Sequence, residues 1–318
     1  MRAGEPPSPE TSPTELEIIR LIRRTVERSP AERVETGIGD DTAVLLPQPG
    51  ARLLATTDLL VEDVHFRRSW ARPFDIGWKA MAVNLSDMAA MAGQPVAAVV
   101  SVGLPRQGGR ALAEELYLGL REVADAFDTA VVGGDTNSWD GPLVISAAII
   151  GEATGCRPVG RAGARPDDWL LVTGPLGGSI LGKHLTFTPR VREAIKLHAL
   201  TDLHAMIDIS DGLAADVNHI CEESRCGAVL HSEAIPISEA AHVIQDGRSA
   251  LEHALTDGED FELVFAVAPA DAKKLLEAQP IPGITLCHIG ECVREGLWLE
   301  ENQKWRRLEP GGYVHSFD

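Results

Sequence analysis

The sequence has no apolar run long enough to span a membrane, and its first residues lack the basic-then-apolar order of a signal peptide. It carries only 29 basic residues against 47 acidic ones, which gives a net charge of −18. Such a charge argues against a nucleic-acid partner, because phosphate backbones are bound by basic side chains. We therefore expect a cytoplasmic protein whose partners include neither a membrane nor a nucleic acid.

Disulfide bonds are not expected either. An odd number of cysteines without a secretory leader favours reduced thiols, and the five are Cys156, Cys221, Cys226, Cys287 and Cys292. Cys221 and Cys226 are separated by more residues than the paired cysteines of a zinc knuckle, and so are Cys287 and Cys292. With 318 residues, of which 44% are apolar, the chain can fill the cores of about two domains without crosslinks.

The usual phosphate-binding loops are also missing. The glycine-rich turn at residues 174–179 has neither the Gly-Lys-Ser/Thr ending of a Walker loop nor the Gly-x-Gly-x-x-Gly pattern. Positive charge is concentrated instead in the linker at residues 156–168, which holds Arg157, Arg161 and Arg165. Arginine side chains can hold a nucleotide phosphate, although the same composition is typical of a surface loop.

Carboxylates recur beside apolar, strand-like runs. Asp41 precedes the run Ala43–Leu46, and Asp58 follows the run Leu53–Ala55. If these runs pair as a hairpin, Asp41 and Asp58 lie at the same edge of the sheet. Carboxylates forced together repel each other unless a cation neutralises them, and oxygen ligands suit Mg²⁺. The alternative is a solvated acidic loop.

Two further carboxylates follow the same pattern. Asp87 interrupts the apolar helix predicted over Phe74–Ala92, where a charge is costly unless it is paired. It therefore either caps or hydrogen-bonds locally, or it points at the same cation. Asp135 follows the strand Ala130–Val132 and two glycines, which would let the backbone approach a phosphate closely.

The segment Met206–Leu213 supplies the fourth acid cluster. A helix is predicted from Leu213 to Glu223, and either Ser210 or Asp211 would cap its first turn. Capping explains one acidic residue of this segment and leaves Asp208 without a role.

Seven short motifs, in this order along the chain, resemble those of the thiamine-monophosphate kinase family, which shares a superfamily with aminoimidazole ribonucleotide synthetase. They lie at residues 37–41, 56–58 with 64–66, 84–91, 133–136, 208–213, 258–263 and 312–313. The resemblance covers about residues 14–318. Asp63 and Ala162 depart from the family pattern, which usually has Gly and often Ser at these positions.

The resemblance implies an α+β fold with two domains. Residues 14–152 would form an N-terminal sheet-and-helix domain that binds ATP and Mg²⁺ and pairs across a homodimer. Residues 153–318 would form a C-terminal α/β layered domain. The lead at residues 1–13 holds four prolines and no apolar period, so it is predicted to be disordered.

The resemblance also implies three sets of site residues. The metal ligands would be Asp41, Thr56, Thr57, Asp58, Asp87, Asp135, Asp208 and Asp211. The ATP contacts would be Tyr117, Gly134, Asp135, Arg161 and Ser210. The thiamine phosphate would lie against His65, Glu259 and Tyr313, with the tyrosine stacked on a ring.

The implied reaction is the ATP-dependent phosphorylation of thiamine monophosphate to thiamine diphosphate, the last step of its biosynthesis, assisted by several Mg²⁺ ions. Because the acceptor is already an anionic phosphate, no acid–base residue is expected. One alternative is another ATP-using enzyme of the superfamily, but the cysteines of its selenophosphate-synthetase and hydrogenase-maturation members have no counterpart here. The other is a non-catalytic nucleotide-binding regulator, which would have lost metal ligands.

Overall fold

The computed structural model describes residues 15–26 and 32–313. The predicted disordered lead at residues 1–13 and the end of the tail, residues 314–318, lie outside these ranges. Within the described ranges no helix is both long and apolar enough to cross a membrane. The described residues form two domains of mixed helix and sheet, as predicted.

The N-terminal domain is built on a four-stranded sheet. Its elements are α1 (Glu15–Val26), β1 (Val34–Thr36), β2 (Val44–Leu45), β3 (Arg52–Val61), α2 (Pro73–Ala90), β4 (Gln94–Pro105), α3 (Gly109–Ala126), β5 (Ala130–Trp139) and β6 (Val144–Ala153). The sheet has the strand order β3-β6-β4-β5 and is antiparallel except for the pair β4–β5. Strands β1 and β2 form a separate antiparallel ribbon.

The C-terminal domain is built on a seven-stranded sheet. Its elements are β7 (Trp169–Val172), α4 (Lys183–Thr186), α5 (Val191–Leu200), β8 (Leu203–Asp208), α6 (Leu213–Ser224), β9 (Gly227–His231), α7 (Glu239–Val243), α8 (Ala250–Thr256), β10 (Leu263–Val267), α9 (Pro269–Ala278), β11 (Cys287–Val293), β12 (Leu297–Glu301) and β13 (Lys304–Arg307), with short 3₁₀ turns at Ser179–Leu181 and Ser232–Ala234. The strand order is β13-β12-β9-β11-β7-β10-β8. All pairs are antiparallel except β12–β9.

Helices α2 and α3 pack closely against each other. A Cβ atom at Gly77 would lie 1.9 Å from the carbonyl oxygen of Leu116, and one at Gly119 would lie 1.9 Å from that of Phe74. Each helix therefore needs a glycine where the other passes. Helix α2 also contacts α4, α5 and β8 of the second domain, so it is part of a core that both domains share.

Side chains of the central strands alternate between two cores. Leu171 and Phe265 enter the core shared with α2, α5 and α9, whereas Val172 and Val264 enter the core formed with α6 and α8. Helices therefore cover both faces of the seven-stranded sheet. This arrangement fixes the end of β8, and with it Asp208, against the N-terminal domain.

The hairpin predicted from the runs beside Asp41 and Asp58 is wrong. Strand β2 pairs with β1, and β3 pairs along its whole length with β6. The segment 56–58 therefore lies inside a strand instead of following one. The pattern of residues does not reveal this, because the pairing joins residues as distant in sequence as Asp58 and Ala147.

The strand exit predicted at residues 133–136 is also wrong. Strand β5 continues to Trp139, and its glycines lie opposite β4, with Gly134 paired to Val100. A Cβ atom at Gly134 would lie 1.8 Å from the Val100 carbonyl oxygen, and the φ angle of Gly134 is +150°. Close packing of two strands therefore accounts for this glycine.

Candidate active site

Strand β3 presents its two faces to different surroundings, since the exposure of its residues alternates. Thr56 faces α2, and its hydroxyl donates a hydrogen bond to Oδ2 of Asp87. Asp58 shares that face because it is two residues further along. Thr57 is exposed on the opposite face, where its hydroxyl donates to the carbonyl oxygen of Ala147 at 3.0 Å. The structure therefore does not bring the Thr57 side chain to the other predicted ligands.

The end of α2 joins the two domains at this point. Asp87 lies in the last turn of the helix, where the helix dipole disfavours a negative charge. The hydroxyl of Ser86 donates to Oδ2 of Asp208, the last residue of β8, at 2.6 Å. One helical turn thus contacts β3 in its own domain and β8 in the other. It brings together three of the predicted ligands, Asp58, Asp87 and Asp208.

Burial raises the pKa of each of these three carboxyl groups, and repulsion by neighbouring carboxylates adds to the shift at Asp58 and Asp208. Burial, followed by the charges of Asp87 and Asp208, raises the pKa of Asp58 to about 7. Burial, followed by the charge of Asp87, raises the pKa of Asp208 to about 7 as well. Burial also raises the pKa of Asp87, although the Thr56 hydroxyl and the Arg161 charge oppose the shift. The ionised cluster therefore lacks sufficient compensating charge.

These residues fit a bound divalent cation. Their side chains offer only carboxylate and hydroxyl oxygens, the donors that Mg²⁺ prefers. Burial and repulsion disfavour the ionised carboxylates, and a cation between them would reverse both effects. The predicted ligands in this cluster between β3, α2 and β8 are Thr56, Asp58, Asp87 and Asp208.

Two other predicted ligands form no hydrogen bond with this cluster within the described residues. Asp41 is exposed on the loop between β1 and β2, and Asp135 is exposed on β5. Neither of them is among the groups whose charges raise the pKa of Asp58. The geometry of the described residues therefore supports a metal role for Asp58 more directly than for Asp41 or Asp135.

The predicted ATP residues differ in their exposure. Tyr117 of α3 is only 3% exposed and hydrogen-bonds with Thr136 of β5, and burial raises its pKa to about 12. Arg161 is exposed on the loop before β7, yet its charge lowers the pKa of both Asp87 and Asp208. A guanidinium so close to the acid cluster is well placed to meet a phosphate.

The cap predicted for α6 is wrong. Its N-cap is Gly212, and no side chain caps the helix there. Asp216, in the first turn of α6, instead accepts three backbone N–H bonds at 3.1 Å, from Ser210, Asp211 and Gly212. Burial, followed by the charges of Asp208 and Asp211, raises the pKa of Asp216 to about 8. Asp216, which the sequence analysis did not single out, thus holds the loop that carries Ser210 and Asp211.

A buried lysine, also missed from the sequence, connects two of the predicted substrate residues. Lys79 of α2 is 1% exposed and donates to the carbonyl oxygen of His65 at 2.8 Å and to Oε1 of Glu259 at 2.5 Å. Burial lowers the pKa of Lys79, while the charge of Glu259 opposes the shift. The lysine thereby ties the loop after β3 to the C-terminal domain.

The third predicted substrate residue reaches the same area from the tail. The backbone N–H of Tyr313 donates to the carbonyl oxygen of Asp211 at 3.0 Å, and that of Glu259 donates to the carbonyl oxygen of Ser210 at 2.8 Å. The loop before α6 therefore supports both residues. The structure brings His65, Glu259 and Tyr313 together around this loop and Lys79.

The glycine-rich turn at residues 174–179 is occupied by the protein itself. The N–H of Gly177 donates to Oδ2 of Asp260 at 2.7 Å, and that of Gly178 donates to Oδ2 of Asp257 at 2.9 Å. Two amides that could have bound a phosphate thus bind carboxylates. The turn stabilises the segment that presents Glu259.

Both domains match known sequence families. The model of the AIR synthase related protein N-terminal domain matches residues 39–153, and that of the C-terminal domain matches residues 151–297. The fold and its interfacial carboxylates thus define an AIR synthase related protein. A thiamine-monophosphate kinase of Rhodopirellula baltica is 44% identical over 295 residues, which are 89% of this chain and 92% of that protein. The chain belongs to the thiamine-monophosphate kinase family and is accordingly an enzyme.

Solved structures show the same fold. The complex described as AaThiL with AMPPCP and TMP is 30% identical, with a TM-score of 0.74 over 95% of this chain and 97% of that one. The hydrogenase maturation protein HypE of Escherichia coli is 22% identical, with a TM-score of 0.78 over 95% of this chain and 98% of that one. At that identity the likeness to HypE shows the fold alone.

Proposed function

We propose that this enzyme transfers the γ-phosphoryl group of ATP to the phosphate of thiamine monophosphate, which yields ADP and thiamine diphosphate. The observation that carries the proposal is the buried cluster of Asp58, Asp87 and Asp208 at the domain interface. Such a cluster calls for cations, and cations in an acidic chain call for a phosphate ligand. Membership of the thiamine-monophosphate kinase family then indicates thiamine monophosphate as the phosphate acceptor. The reaction would be the last step of thiamine diphosphate synthesis in the cytoplasm.

The residues have to align two phosphates and balance their charge. The acceptor oxygen is already anionic, so no side chain needs to remove a proton. Mg²⁺ held by the carboxylates would neutralise the phosphate oxygens that approach each other. Thr56 and Ser86 orient Asp87 and Asp208 through their hydroxyl groups. Arg161 contributes a positive charge on the exposed side of the cluster.

We retain the residue assignments that the family motifs imply. The proposed metal ligands are Asp41, Thr56, Thr57, Asp58, Asp87, Asp135, Asp208 and Asp211, with Thr57 acting through its backbone because its side chain faces away. The proposed ATP contacts are Tyr117, Gly134, Asp135, Arg161 and Ser210. The proposed acceptor contacts are His65, Glu259 and Tyr313.

We also propose that the enzyme is a homodimer, with the domain boundary at residues 152–153. The outward face of β3 supports this proposal, since Leu53 and Leu59 are 64% and 55% exposed there. Exposed apolar side chains on one face of a sheet mark a surface suited to a protein partner.

The test of the reaction is a direct assay. Purified protein with ATP, Mg²⁺ and thiamine monophosphate is expected to form ADP and thiamine diphosphate in equal amounts, and EDTA is expected to stop the reaction. Free thiamine and aminoimidazole ribonucleotide precursors serve as competing acceptors. Phosphorylation of free thiamine would contradict the proposal, because its hydroxyl needs a base that the site does not offer. Binding of ATP without turnover would favour a regulator.

Replacing Tyr313 with Ala is expected to weaken thiamine monophosphate binding while leaving ATP binding unchanged. Stacking on a cationic thiazolium or a pyrimidine contributes about 0.5–2 kcal/mol, so the Kd should rise about 2- to 30-fold. The control is Trp305→Ala, since Trp305 and Tyr313 are both 51% exposed. Calorimetry that showed equal losses for both ligands would indicate a structural role for the tail.

A further inference from the structure

Three side chains at the start of α6 form a mixed ligand cluster. Asp211, Asp216 and His219 each offer one ligand atom, and all three atoms lie within 4.8 Å of one another. His219 lies one helical turn after Asp216, so both side chains project from the same face of α6. Asp211 reaches them from the loop before the helix. His219 lies outside the seven family motifs, the nearest of which ends at Leu213.

The hydrogen bonds of Asp216 leave one of its oxygens for a ligand. All three backbone N–H groups donate to Oδ2, and within the described ranges no residue donates to Oδ1. The Asp216 side chain is nevertheless only 1% exposed. Neither Asp211 nor Asp216 forms a salt bridge with any described lysine or arginine. Oδ1 of Asp216, next to a second carboxylate and an imidazole, therefore lacks a positive partner among the described residues.

We propose that Asp211, Asp216 and His219 form a divalent-cation site that prefers a first-row transition-metal ion, such as Co²⁺ or Zn²⁺, to Mg²⁺. An imidazole nitrogen is a good ligand for these ions, whereas Mg²⁺ favours oxygen ligands and water. The site shares Asp211 with the metal ligands of the proposed function and deepens that proposal at this one position. Its imidazole donor distinguishes it from the neighbouring all-oxygen cluster around Asp58.

The site is linked to acceptor binding through the backbone. The carbonyl oxygen of Asp211 accepts the N–H of Tyr313, and that of Ser210 accepts the N–H of Glu259. An ion bound by Asp211 would fix the loop on which both proposed acceptor contacts depend. The identity of the ion therefore affects the acceptor side of the site more than the ATP side.

The test uses Co²⁺ binding to the nucleotide-free protein in a large excess of Mg²⁺, which occupies the all-oxygen positions. We expect the unaltered protein to retain tightly bound Co²⁺ and to show a hyperfine-shifted imidazole N–H resonance by NMR. His219→Gln is expected to weaken Co²⁺ binding by about tenfold or more and to abolish this resonance. The control, His242→Gln, alters an exposed histidine of α7 and is expected to change neither.

A second variant keeps the test valid if His219→Gln folds poorly. Asp211→Asn leaves the backbone carbonyl in place and is expected to weaken Co²⁺ binding to a similar extent. Unchanged Co²⁺ affinity in either folded variant would overturn the inference, as would release of Co²⁺ from the unaltered protein by Mg²⁺. Because the readout needs neither ATP nor thiamine monophosphate, its failure is separate from a failure of the proposed kinase reaction.

Discussion

Asp58→Asn is expected to lower kcat by a factor of at least about 10²–10³ while stabilising the metal-free protein. The carboxylate of Asp58 lies near Asp87 of its own domain and Asp208 of the other domain, and the charges of both raise its pKa. Its negative charge therefore opposes folding unless a cation is bound. Asparagine keeps the shape of the side chain and removes the charge, so the loss of catalysis and the gain of stability share one cause.

The gain in stability should depend on pH in a defined direction. In the metal-free protein the pKa of Asp58 is about 7, against an ordinary value of 3.8. Between these values the folded state binds more protons than the unfolded state, so the stability of the unaltered protein falls as the pH rises. The stability of Asp58→Asn does not fall in this way, because asparagine does not ionise. The difference in Tm between the two proteins should be small near pH 4 and greatest above pH 7.

Thermal unfolding in EDTA measures the stability of Asp58→Asn, and steady-state kinetics at saturating Mg²⁺ measure its turnover. The matched control is Asp140→Asn, whose side chain is 84% exposed and forms a surface ion pair with Arg106. It is expected to leave both turnover and Tm unchanged. Near-normal turnover of Asp58→Asn at saturating Mg²⁺ would rule out Asp58 as a metal ligand.

Local patterns in the sequence predict the elements better than they predict their pairing. The apolar period over Phe74–Ala92 correctly predicted α2, which runs from Pro73 to Ala90. The hairpin beside Asp58 was wrong because β3 finds its partner, β6, far along the chain. Such pairing depends on which apolar faces meet in the whole domain, and a short pattern does not contain that information.

The site shows the same contrast. Asp58, Asp87 and Asp208 were predicted from their motifs, and the structure brings them together. Lys79 was missed because a single lysine in an apolar helix resembles one that reaches solvent with its charged end. Asp216 was missed because an acidic residue in the first turn of a helix is commonly a solvated favourable charge. The role of Lys79 depends on Glu259, far along the chain, whereas that of Asp216 depends on the fold of the loop directly before it.

Glu259→Ala is expected to lower the free energy of unfolding by about 3 kcal/mol, because it leaves a charged lysine buried without its partner. Lys79 is 1% exposed, whereas Glu259 is 29% exposed, so the lysine has no access to water that could replace the lost contact. Replacing Lys79 instead of Glu259 is expected to lower the free energy of unfolding by less. In Lys79→Met the remaining carboxylate can be hydrated, and an apolar side chain of similar length fills the space.

A double-mutant cycle separates this stabilising role from acceptor binding. Adding Lys79→Met to Glu259→Ala removes the unpaired charge, so urea unfolding should show that most of the lost stability returns. Binding of thiamine monophosphate should stay weak in the double mutant, since Glu259 is proposed to contact the acceptor. The control is Asp271→Ala, which breaks the exposed pair with Lys274. The Lys274 side chain is 76% exposed, so the free energy of unfolding should fall by less than about 1 kcal/mol.

If the double mutant regained both stability and acceptor affinity, Glu259 would act only through Lys79 and would not contact the acceptor. If it regained neither, the burial of Lys79 would not be the source of the loss.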